Sequence, residues 1–145
     1  MKKETLLKIV FVLLPVLAVS LAMSGNSVMF YDPAVGEAAY YSYFDLNATG
    51  PMPLAAPMAG ICAIICGTSA IIYFAAGKLG ALSVVKWAAF FGACVAVLPV
   101  IAREDVKLVP SVGVPLLLMA EMGLSAMLMK EKKADKTLNP RLNER

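Results

Sequence analysis

Four stretches of the chain run without charge for long enough to matter. The first is Ile9–Tyr31, with its apolar heart at Ile9–Met23. The second is Leu46–Gly77, where Pro51, Pro53 and Pro57 crowd the start and push the helix inward. The third, Trp87–Ala102, reaches a full span only if Leu79–Val85 joins it and Lys86 is accommodated. The fourth, Leu108–Met129, is interrupted by Glu121 alone. Crossing the hydrocarbon of a bilayer takes about 20 mostly apolar residues in helical form. The pattern therefore predicts an all-α membrane protein, a four-transmembrane-helix bundle forming a single membrane domain over residues 1–145. The helices are expected at 8–26, 54–76, 79–102 and 108–130, with an outer loop at 24–52 and a tail at 130–145.

Composition agrees. Apolar residues make up 60% of the chain and charged residues 16%, against about 45–50% and 25% in soluble domains. A water-soluble fold of this size could not hide that much apolar surface. Soluble enzymes and nucleic-acid-binding modules are excluded, and the first partner is the lipid bilayer.

Charge orients the bundle. Lys2, Lys3 and Lys8 precede the first helix, Lys78 and Lys86 lie around the second turn, and six bases occupy the tail. Only Arg103 and Lys107 fall on the opposite side, a balance of 11 to 2. Cytoplasmic loops carry the excess of Lys and Arg, so both termini are expected inside and Ser24–Met52 outside, in a multi-pass protein of the plasma membrane. The start of the chain also matches a signal peptide, with a basic head, the apolar run Ile9–Val19 and Ser20-Leu21-Ala22 as a small-residue site. The apolar run continues to Met23, which favours an uncleaved anchor.

The first outer loop is acidic and aromatic. It holds Asp32, Glu37 and Asp45, no base, and six of the chain's twelve aromatic rings. Tyr41, Tyr43 and Asp45 alternate with Ser42 and Phe44, a period of two that suits an extended segment. Tyr40, Tyr41, Tyr43, Phe44 and Asp45 form a candidate outer contact surface. The alternative is an interfacial belt folded over the helix ends. The sequon Asn47-Ala48-Thr49 has meaning only in a eukaryotic source. The tail is expected to continue as helix and fray at Asn139-Pro140, its lysines touching anionic headgroups.

Chemistry-bearing residues are few. The second helix carries a stripe of small residues at three- and four-residue spacing, Ala56, Gly60, Ala63, Gly67 and Ala70 among them, which lets neighbouring backbones approach. Cys62 and Cys66 are four apart inside that helix and read as small hydrophobes. There is no histidine. No cofactor, metal or enzymatic activity is expected. Glu121 is the sharpest signal, since an ionisable group inside a membrane helix is costly and usually functional. Measured from helix ends at Leu79 and Met129, Lys86 and Glu121 lie at similar depth, which predicts an intramembrane ion pair.

The run Ala39-Tyr40-Tyr41-Ser42-Tyr43-Phe44-Asp45-Leu46, followed by a Pro/Gly-rich turn and an apolar helix, resembles a group of uncharacterised small four-helix membrane proteins of Firmicutes. Glu121 in the last helix fits that pattern; Asn47–Pro53 departs from it, standing where an aromatic turn is expected. The resemblance implies a bacterial plasma-membrane protein and no activity. The order of loop lengths is also similar to claudin-type tetraspan proteins, but the first-loop cysteine pair and tryptophan of that group are absent. Together these features suggest a non-enzymatic accessory, assembly or scaffold component that meets a membrane-protein partner or its own copies. The alternative is a small oligomeric transporter or channel using Glu121.

Reporter fusions test the orientation. A fusion at residue 145 should be active only with a cytoplasmic reporter, and one in the first loop only with an external reporter. A C-terminus found outside would overturn the assignment.

Overall fold

A computed structural model of the chain describes residues 3–24, 28–32, 36–44, 54–101 and 108–138. Among them are four helices, α1 (Lys3–Met23), α2 (Ala55–Ala76), α3 (Leu79–Ile101) and α4 (Leu108–Leu138). Each contains a segment long and apolar enough to cross a membrane. Two strands, β1 (Val28–Asp32) and β2 (Glu37–Tyr41), form an antiparallel hairpin between α1 and α2.

The helix bounds differ most from expectation at the ends. α1 begins five residues earlier than residue 8, while α4 continues past the span end at 130 to Leu138, the helical tail expected up to Asn139-Pro140. Nothing in Glu131–Leu138 breaks a helix, whereas Pro140 disfavours helical geometry at Asn139. The hairpin was legible only in its second half. Val28–Asp32 reads as the tail of an apolar run, yet it pairs with Glu37–Tyr41 in the register Val28 to Tyr41 and Asp32 to Glu37. Gly36, with φ +73°, supplies the left-handed residue at the turn.

α1 packs on α2 and α4, and α3 packs on α2 and α4, so the helices form a ring in chain order. α2 and α4 face each other across a diagonal. Close approach holds the ring together. Ala56, Ala59, Ala63, Cys66 and Ala70 of α2 are buried, as are Leu82, Val85, Ala89, Ala93 and Ala96 of α3. Apolar burial between membrane helices gains little over contact with lipid tails, so small residues gain by van der Waals contact instead. The tightest point lies at Gly92. A β-carbon there would stand 2.7 Å from Cβ of Cys62 and 3.0 Å from Cδ1 of Leu118. On the other side of α2, Pro15 of α1 packs near Gly67, and Phe11 meets Tyr73 edge to face at 5.7 Å.

Two hydroxyls inside the spans are satisfied within their own helices. Ser20 donates to the Val16 carbonyl at 2.9 Å, and Thr68 lies 3.1 Å from the carbonyls of both Ile64 and Ile65. Such bonds to the preceding turn let a polar side chain enter a bilayer without a partner helix.

At one end the hairpin closes the bundle. The Tyr43 amide donates to the Ala22 carbonyl at 2.9 Å, tying the hairpin exit to the end of α1. The Tyr43 side chain is 1% exposed, and burial pushes its phenol above the usual tyrosine range. The Phe44 ring lies over Gly60, at 2.8 Å from where a β-carbon would stand. At the other end α2 stops at Gly77, whose φ of +64° makes a left-handed cap with its amide on the Tyr73 carbonyl at 2.8 Å. Lys132 of α4 reaches across the diagonal and donates to the Gly77 carbonyl at 3.0 Å, its ammonium 5.2 Å from the centre of the Tyr73 ring.

Gly92→Ala should destabilise the protein by about 1–3 kcal/mol, the usual cost of overpacking. Gly123→Ala, where a β-carbon meets nothing within 4 Å, should be neutral or stabilising. Melting in mild detergent checks both. Equal melting temperatures for the two variants would mean that α2, α3 and α4 do not converge at Gly92.

Candidate functional site

Among the described residues the inward faces of the helices are apolar except at Ser69 of α2 and near the middle of α4. Val114, Leu118, Glu121, Ser125 and Leu128 recur at three- and four-residue spacing and are all buried. Glu121 is therefore central in the inward stripe. It is the fourteenth of 31 residues in α4 and 1% exposed. Neither carboxylate oxygen has a hydrogen-bond partner.

Two parallel helices fix what faces it. Lys132 contacts Gly77 across the diagonal at a chain separation of 55. The same separation pairs Cys66 with Glu121, and Glu121 acts electrostatically on the Cys66 thiol. The thiol points its own weak donor at the Val85 carbonyl of α3, at 3.7 Å. Ser125, one turn along α4, donates to the Met122 carbonyl of its own helix at 2.8 Å. Neither neighbour offers the carboxylate a hydrogen.

The structure does not bring Lys86 and Glu121 together, and the expected ion pair is corrected on two counts. The first is depth. Lys132 of α4 lies level with Gly77 just before α3 begins, which leaves Glu121 eleven residues from that level, about 16 Å at the helical rise. Lys86 is seven residues from the start of α3, only about 10 Å in. The second is direction. Lys86 follows the buried Val85 by one position, about 100° around the helix, and sits half-buried on the flank of α3. Its ammonium lies 5.7 Å from the centre of the Trp87 ring, a cation–π arrangement.

Trp87 belongs to a cluster that sequence reasoning missed. Trp87, Phe90 and Phe91 are exposed on the outer side of α3 and touch each other, with centroids 5.7–6.3 Å apart. Their spacing of three and four was the available signal. Ser125 was missed as well, although a residue four after Glu121 shares its face.

The outer contact residues divide. Tyr43 and Phe44 are turned onto the bundle, so their rings pack within the chain instead of facing a partner. Tyr40 and Tyr41 lie in β2, and Asp45 falls outside the described residues. The small-residue stripe faces inward, with Ala56, Gly60, Ala63 and Ala70 buried and Gly67 half-buried. Among the described residues no three His, Cys, Asp or Glu side chains come together as a metal site. Cys62, Cys66 and Cys94 are free thiols.

Comparison of the chain with protein-family models, with curated proteins and with solved structures finds no match.

A double-substitution cycle checks the separation of the two charges. Lys86→Met and Glu121→Gln should change the detergent unfolding free energy additively, to within about 0.5 kcal/mol. A coupling above about 1 kcal/mol would place the two side chains in contact.

Proposed function

We propose that the chain is a non-enzymatic accessory, assembly or scaffold component of a bacterial plasma membrane, with both termini in the cytoplasm. Its partner is another membrane protein, met on the outer side of α3. One observation carries this reading. An ammonium group within a membrane span, Lys86, stands beside three exposed rings and makes no ion pair among the described residues. Lipid tails cover aromatic rings well but leave a charge uncompensated, at about 2.5–3.5 kcal/mol for a lysine at the helix centre. A carboxyl-bearing helix seated against Trp87 would supply both the missing charge and ring contact.

The inward turn of Tyr43 and Phe44 supports the same shift, from the outer loop to the lipid-facing side. The buried Glu121, at 1% exposure, adds weight against a water-filled passage at that level.

The second reading, a small oligomeric transporter or channel, draws on the unpartnered carboxylate of Glu121. It requires the bundle to open, since a carrier site must meet water.

Affinity purification in mild detergent, followed by identification of what co-purifies, separates the readings. The accessory reading expects a stable membrane-protein partner that is lost when Lys86 and Trp87 are replaced by methionine and alanine. A homo-oligomer that is clean and indifferent to both substitutions would overturn it in favour of transport.

A further inference from the structure

The carboxylate of Glu121 has hydrogen-bond acceptors that no described residue fills. Both oxygens are buried, both lack a donor, and the side chain points into the centre of the ring. Burying a charge without a partner is among the costliest arrangements a fold can hold. The site is therefore incomplete as drawn by the chain's own side chains, and its lining defines what completes it.

The lining is too poor for a metal ion. Calcium and magnesium take six or more oxygens, and zinc takes four nitrogen, sulfur or oxygen ligands. At the level of Cys66 and Glu121, α3 contributes Val85 and α1 contributes Pro15, neither of which carries a titratable group. From α2 come the thiols of Cys66 and Cys62, the first committed to the Val85 carbonyl. From α4 itself comes Ser125, committed to Met122. Lys86 and Lys132 are engaged elsewhere, at the Trp87 ring and at the Gly77 carbonyl. An amine or a larger cation needs room, yet the helices meet at Gly92 one turn away with no space for a methyl group. The ligand that fits is the smallest cation.

The two halves of the core differ in polarity. Toward the hairpin, the residues beyond Glu121 are Leu118, Val114, Ala63, Ala59 and Ala22, all buried and apolar, under the lid of Tyr43. Toward the end that carries the termini, Ser125 and Ser69 are buried one turn on, followed by Tyr73 beside Leu128, and then Lys132 at the surface. Glu121, Ser125 and Ser69 are the buried polar side chains of the described core, and both serines lie on the same side of Glu121. We propose that Glu121 is a proton-binding site loaded from the end of the bundle that carries the two termini. The carboxylate takes up one proton to become the neutral acid, and it returns that proton the same way.

This inference goes beyond the accessory reading and does not depend on it. Dicyclohexylcarbodiimide, an apolar reagent for carboxylic acids in membranes, provides the test. The full-length protein is reconstituted in proteoliposomes sorted by orientation, and modified Glu121 is quantified by peptide mass spectrometry. The expected result is modification of Glu121 that falls as pH is raised on the termini side and ignores pH on the hairpin side. Glu121→Gln serves as the blank, and since the readout is on the native chain, its folding is not needed. No modification at any pH, or modification governed by pH on the hairpin side, would overturn the proposal. A proton flux assay on the same vesicles distinguishes binding from transport. Modification without flux upholds the site and removes the transporter reading.

Discussion

Helices already dissolved in lipid gain little by hiding apolar side chains from one another. What holds this bundle is close approach, which depends on the small-residue face of α2. Where Cys62 meets Gly92, three helices converge without space for a methyl group. Everything else in the architecture follows from that tightness. It brings the carboxyl of Glu121 within electrostatic reach of Cys66 across the diagonal. The aliphatic side chains, by contrast, point outward in quantity, as Ile61, Ile64, Ile65, Ile71 and Ile72 do on α2.

The spans were legible because a bilayer imposes length and apolarity directly on sequence. α2 and α3 were placed to within a residue at each end, since Gly77 and the proline cluster before Leu54 punctuate the chain. The end of α4 was legible as well, as a helical tail expected to stop at Asn139-Pro140. Helix continuation there is decided by the absence of a breaker rather than by hydropathy. The depth argument for Lys86 and Glu121 failed because it measured Glu121 from Met129, whereas Lys132 is the residue of α4 that lies level with Gly77. The rotational argument failed for a different reason. Position along a helix is readable from hydropathy, but facing depends on which neighbours the helix has, and both sides of α3 are apolar.

The candidate site was half legible. A lone carboxylate in an apolar run announces itself. Its lack of a partner, and the polarity of only one half of the core, required knowing that α2 and α4 run parallel and face each other. The aromatic loop was legible as an ordered element, but its direction was not. Tyr43 and Phe44 differ from the strand residues before them in lying past the hairpin, where the chain bends back over Ala22 and Gly60. Alternation alone could not give that bend.

The link between α2 and α3 is two residues, Gly77 and Lys78. With so short a tether, neither helix can settle across a membrane while the other stays behind. So short a link suits insertion of the two as one helical hairpin. Lys86 would burden α3 if that helix had to partition alone. Carried in alongside α2, which has no Asp, Glu, Lys or Arg from Ala55 to Ala76, it is admitted on the hydropathy of both. The brevity of one turn thus determines not only where two helices sit but how a charged one comes to be in the membrane at all.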